Sequence, residues 1–175
     1  MAVKKSIYES VGGFGNLRHG QDIEFSNRIR KSGARIQFLI DAVVYHRRRT
    51  SLKQFFKQVF NWGVARINLG KIDASMLEPI HFLPALATLL GLGAVMTALM
   101  AGIPFKNILI TIFIPLALLS LLGARQKKDF RIFFYLLLVI PAQILGYGLG
   151  FILNFIKRYI LGMEAWRGFT KRYYQ

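Results

Sequence analysis

The stretch "GQDIEFSNRIRKSG", residues 20–33, sets two carboxylates, Asp22 and Glu24, at the start of a helix-like pattern in an otherwise basic chain. A first-turn carboxylate meets unpaired backbone N–H groups and the positive end of the helix dipole, so it stays ionised. In that state Asp22 has the chemistry of a general base and can take a proton from a hydroxyl within hydrogen-bond reach. First-turn acids also stabilise helices with no further role, so position alone leaves both readings open. Other residue types here can do chemistry. "GGFG", residues 12–15, makes a turn that needs positive φ or close backbone approach. His46 is followed by Arg47, Arg48 and Arg49. A neutral imidazole can ligate a metal, or simply end a strand. An arginine run can meet diphosphate oxygens or anionic lipid headgroups, or be solvated. The absence of cysteine excludes zinc fingers, disulfide frameworks and thiol nucleophiles.

These residues need elements to hold them. Ser6 and Glu9 stand at capping-box spacing and predict a short helix over 6–10. Ile23, Phe25 and Ile29 give 20–32 one apolar face, and Gly33 sits where a helix stop belongs. "RIQFLI" (35–40) and "AVVYH" (42–46) predict two short strands around Asp41. Residues 51–70 predict a helix with Phe55, Phe56, Val59, Phe60 and Ile67 gathered on one side, the pattern of a helix lying in lipid headgroups.

The second half is of another kind. Hydrophobic residues make up 54% of the 175-residue chain, and three runs, 80–102, 107–124 and 132–156, approach the roughly 20 apolar residues that cross a bilayer. Ala142, Gly146 and Gly150 share a helix face and invite close helix approach, so "GYGLG" reads as packing rather than a phosphate loop. The link "RQKKDFR" (125–131) is basic and "IPF" (103–105) uncharged, which puts the link and the first 79 residues in the cytoplasm. Three full crossings would then leave the basic tail, with Lys157, Arg158, Arg167, Lys171 and Arg172, outside, against the same tendency. A re-entrant segment, bent at Pro84 or Pro141, is the alternative. The net charge of +16 is accounted for by membrane flanks, so no nucleic-acid partner is expected. Spans nearly free of ionisable groups disfavour a transport pathway.

Taken in order, the Gly-Gly-Phe turn, the acidic helix start, the Arg-then-Gly helix end, the Val-Tyr-His strand and the Gln-x-x-x-Trp helix resemble part of a known enzyme. Residues 4–70 resemble the second half of the catalytic domain of family 2 glycosyltransferases, inverting nucleotide-sugar enzymes of the GT-A fold, and most of all the membrane-bound, succinoglycan-type members that build exopolysaccharides. The resemblance implies that Asp22 is the base that deprotonates the acceptor hydroxyl. It implies that Gln21, standing where the family usually has Glu, orients that hydroxyl, and that Gly13, Phe14, Gln58 and Trp62 line the acceptor. His46 would help hold a divalent cation (Mg or Mn) on the donor diphosphate. Asn61 stands where the family's Gln-x-x-Arg-Trp motif has Arg, which puts a phosphate contact there in doubt.

The expected fold is therefore an α/β remnant, the C-terminal half of a GT-A domain (1–72, with the interfacial helix 51–70), followed by an all-α transmembrane region of about three helices (79–175). The sequence contains no Asp-x-Asp metal motif and no nucleotide-binding half. The expected function is that of a fragment, inactive alone, of a transferase moving sugar from a nucleotide-sugar to a lipid-linked glycan or polysaccharide at the cytoplasmic membrane face. Its expected partners are membrane lipids, that acceptor, and an N-terminal half-domain or partner subunit. The alternative is a non-catalytic membrane adaptor.

Overall fold

The computed structural model describes residues 2–45 and 51–169. Six helices carry the described chain: α1 (Lys5–Ser10), α2 (Gln21–Lys31), α3 (Leu52–Ile72), α4 (Leu83–Met100), α5 (Phe105–Lys127) and α6 (Arg131–Phe155). Short 3-10 turns at Ala74–Met76 and Pro79–Phe82 lead from α3 into α4, and a π-helical turn, Ile156–Ile160, follows α6.

Local rules account for most ends. Gly12 and Gly13 take φ of +75° and +66° to end α1, and Gly33, at +82°, follows the end of α2. Ser51 caps α3, its hydroxyl accepting from the Gln54 N–H at 3.2 Å. The expected capping box is not formed. α1 begins at Lys5, one residue early, with Lys4 at the N-cap position and no side-chain cap, so Ser6 falls inside the helix.

The expected α/β remnant is overturned. Among the described residues there is no strand and no sheet, and the fold is all-α. Residues 34–45 have no regular structure apart from one turn at 40–41. Their apolar residues reach solvent, Phe38 at 87% and Tyr45 at 96% exposure. Alternating β-branched and aromatic residues favour a strand only where a second strand takes up the backbone hydrogen bonds. None of the described chain does so here. The GT-A half-domain expectation fails with those strands.

α6 is the axis of the molecule. α3 packs along it in parallel, through glycine. A Cβ on Gly150 would overlap the Phe60 carbonyl, one on Gly63 the Tyr147 carbonyl, and one on Gly146 the Val59 side chain. The small face predicted at 146 and 150 is thus a helix-packing face, and its partner is α3. Ile67, Val59 and Val64 are fully buried in α3, and Phe151 of α6 is 3% exposed. The apolar side of α3 is therefore covered by protein. Asn154 joins the pair, donating from Nδ2 to the Val64 carbonyl at 2.8 Å and to Asn68 Oδ1 at 3.0 Å.

The hairpin α4–α5 meets α6 near its two open ends. Thr88 Oγ1 lies 2.8 Å from the Pro84 carbonyl and 3.1 Å from that of Ile144. Phe82 stacks edge-on against Phe151 at 5.0 Å. At the other end of the hairpin, Gly123 faces Leu136 closely, and Ser120 and Ala124 are buried. The lipophilic middle, with Leu92, Met96, Ile110 and Phe113, stays exposed. Pro79–Met100, Phe105–Lys127 and Arg131–Ile160 are each long and apolar enough to cross a membrane.

Candidate functional site

The acid pair at the head of α2 divides into two roles. Glu24 is 8% exposed and holds Arg28 through two bonds, from Nε at 2.5 Å and from Nη2 at 2.8 Å. Arg28 also donates to the Val11 and Gly13 carbonyls, so one guanidinium ties α2 to the glycine turn after α1. Glu24 raises the Arg28 pKa, chiefly by hydrogen bonding. Glu24 is a structural acid.

Asp22 is exposed and lines an open cleft of about 520 Å³ between α2 and the segment joining α3 to α4. Around it stand Ser26, Asn27 and Arg30 from successive turns of α2, Arg66 from α3, and Ser75 and Glu78 from the joining segment. Ile23, Ile36 and Met76 supply apolar wall. Two carboxylates, two guanidinium groups, two hydroxyls and an amide offer both donors and acceptors around the cleft, the mixture that polyhydroxylated ligands require.

Asp73 fixes the shape of this cleft. Its carboxylate accepts from Lys31 Nζ, from Asn27 Nδ2 at 2.6 Å, and from the Ser75 N–H and hydroxyl at 3.0 and 2.8 Å. The Lys31 contact first, and then those to Ser75 and Asn27, hold its pKa well below the usual carboxylate range. Asp73 thereby clamps α2 to the end of α3, and Arg66 closes the loop by donating to the Met76 carbonyl at 3.1 Å. Gly20 presses on Leu69 and Ala65 from the other end of the same contact.

The remaining predicted residues fall in three places. Gln21 donates from Nε2 to the Gly15 carbonyl at 3.2 Å, bracing the turn at the base of the cleft. Gly13 packs under Tyr8, and Phe14 closes on Phe25 with ring centroids 4.5 Å apart. Gln58, half-buried, and Trp62, 47% exposed, precede Arg66 at four-residue intervals, so the three share one face of α3 leading toward the cleft. His46, Arg47, Arg48 and Arg49 lie outside the described residues. Among the described residues no three metal-ligating side chains gather, and His46, from which a contact to the divalent cation is expected, lies outside them.

Asn61 has a definite task. Its amide exchanges two bonds with the backbone of Phe169, at 3.1 and 2.8 Å, while Asn68 holds the Trp166 carbonyl at 2.9 Å. Residues 162–169 are thus strapped back across α3, with Phe60 against Phe169 and Trp166. Sequence reasoning missed Ser26, Asn27, Arg30, Arg66, Asp73, Ser75 and Glu78. The four-residue step from Trp62 to Arg66 and the Asp-x-Ser turn at 73–75 are local signals for Arg66, Asp73 and Ser75, and no local pattern marks the others.

No curated protein and no solved structure matches the chain. A family model described as "Glycosyl transferase family 21" matches residues 1–172. The resemblance stated above thus holds at the level of glycosyltransferase, while the matched family is 21 in place of 2. A match over nearly the whole length carries the conclusion: the chain belongs to the family 21 glycosyltransferases.

Proposed function

We propose that this glycosyltransferase, completed by a nucleotide-binding half and inactive without it, moves a sugar from a nucleotide-sugar donor to the hydroxyl of a lipid-linked glycan or polysaccharide at the cytoplasmic face of a membrane, with Asp22 as the base. Asp22 takes the hydroxyl proton as the acceptor oxygen bonds to the anomeric carbon. The bond from that carbon to the donor phosphate breaks, and the nucleoside diphosphate leaves with the electron pair. Attack from the face opposite the leaving group inverts the anomeric centre. Arg30 and Arg66, with Ser26, hold the acceptor by hydrogen bonds, and Trp62 offers a flat apolar face to a sugar ring.

One observation carries the reading. The cleft that Asp22 lines is walled by Ser75, Met76 and Glu78, and Glu78 immediately precedes the first apolar span at Pro79. An acceptor whose lipid part lies in the bilayer would present its sugar there. The test is Asp22→Asn in the enzyme reassembled with that half, in membranes supplied with a panel of nucleotide sugars and total lipid extract as acceptor. The expected loss of turnover is about 10²–10⁴-fold, the usual worth of a positioned base. Unchanged transfer by a folded variant would contradict it.

The exposed apolar run from Ile36 to Tyr45 favours a second reading, a membrane adaptor that docks a partner subunit through this segment. That reading predicts no dependence of any transfer on Asp22.

A further inference from the structure

We propose that α6 does not cross the bilayer but lies flat at one membrane face, beneath α3, so that α4 and α5 alone cross and both ends of the described chain lie on the same side. The inference concerns placement and is independent of the chemistry assigned to Asp22.

The hairpin stands on α6 at two separate places. The first turns of α4 meet α6 at Ile144, Gly148 and Phe151, and the last turns of α5 meet it at Leu136. Gly148 and Leu136 are twelve residues apart, roughly 18 Å along a helix. Both feet are polar. α4 is entered from Glu78, and α5 ends on Arg125, Lys127 and Lys128. Polar feet belong at headgroup level, and the two open ends of one membrane hairpin emerge on one face. Were α6 upright, those feet would differ in depth by more than half of a hydrocarbon core of roughly 30 Å. Only a flat α6 puts both at the surface.

Three further observations agree. Residues 162–169 return onto α3 through Asn61 and Asn68, which a crossing α6 would make difficult to reconcile with α3 and α2 on the near side. Phe134, Leu138, Leu145, Leu153 and Ile156 form one exposed apolar stripe, while Gly146, Gly150 and Asn154 are turned to α3. The partner of that stripe is the bilayer: it continues the lipid-facing surface of the hairpin standing on the same helix. Finally, Lys106 becomes the one Lys or Arg on the hairpin-tip side among the described residues, and the conflict over the basic tail disappears.

The chain has no cysteine, so single-cysteine variants report cleanly. Ser32→Cys, Ile103→Cys and Glu164→Cys, all exposed, are treated with a membrane-impermeant maleimide in sealed vesicles of each orientation. Residues 32 and 164 are expected to react at least tenfold faster from one side, and residue 103 from the other. Reaction of 164 from the side of 103 would overturn the proposal. In phosphatidylcholine–phosphatidylglycerol vesicles, nitroxides on Leu138→Cys, Leu145→Cys and Leu153→Cys are expected at one depth. A steady change in depth of roughly 20 Å from 138 to 153, the rise of an upright helix, would also overturn it.

Discussion

At the scale of single residues, two acids two positions apart in α2 have opposite tasks. Glu24 is enclosed with Arg28, whose remaining donors hold two backbone carbonyls, so neutralising it strands a charge and loosens the α1–α2 turn. Glu24→Gln is expected to cost about 2 kcal/mol, the worth of a hydrogen bond to a charged group. Asp22→Asn, on an exposed first turn, should cost no more than about 1 kcal/mol. Thermal unfolding in detergent, followed by tryptophan fluorescence, ranks the two variants. Asp73 carries the pH dependence. Its folded pKa lies below the ordinary 3.8, so the unfolded chain binds the proton first as pH falls. Its contribution is complete above 3.8 and is lost as pH drops through the folded value. Asp73→Asn is expected to lower the melting temperature at neutral pH and to show a smaller loss on acidification below 3.8. Parallel acid titrations of the two proteins check this.

At the scale of elements, glycine decides where helices touch. Gly150→Leu would drive a side chain into the Phe60 backbone and is expected to destabilise α3 on α6 by about 3 kcal/mol, the upper range for overpacking. Gly91→Leu, with nothing within 4 Å of its Cβ, is the matched control and should be near neutral. Amide hydrogen exchange in α3 separates the two. Asn61→Leu is expected to release residues 162–169 and speed tryptic cleavage after Arg167.

These elements also show what sequence can convey. Helix periodicity, apolar length and the small-residue face are local, and 20–32, 51–70 and the three long runs were legible from them. The run at 35–45 has strand chemistry, but pairing is not local, and with no strand beside it among the described residues the segment stays open. The Asp73 clamp and the Asn61 strap join residues 42 to 108 positions apart, beyond any pattern in a window. Of the site, the first-turn position of Asp22 was legible. The groups that face it were not, because they come from three separate segments.

At the scale of the molecule, a polar cleft made from α2 and the end of α3 is fastened by Asp73 to the entrance of a membrane hairpin. α3 couples the two halves, carrying Trp62 and Arg66 on one face and the glycine contacts with α6 on another. The account rests on Asp22 working on the acceptor from that place. The most direct test is the split between kcat and the acceptor KM for Asp22→Asn in the reassembled enzyme, measured in one vesicle preparation alongside wild type. The account predicts a fall in kcat of about 10²–10⁴-fold with the acceptor KM within about threefold of wild type, since the carboxylate acts in the transition state. A kcat at the wild-type level, or a loss confined to KM, would contradict it.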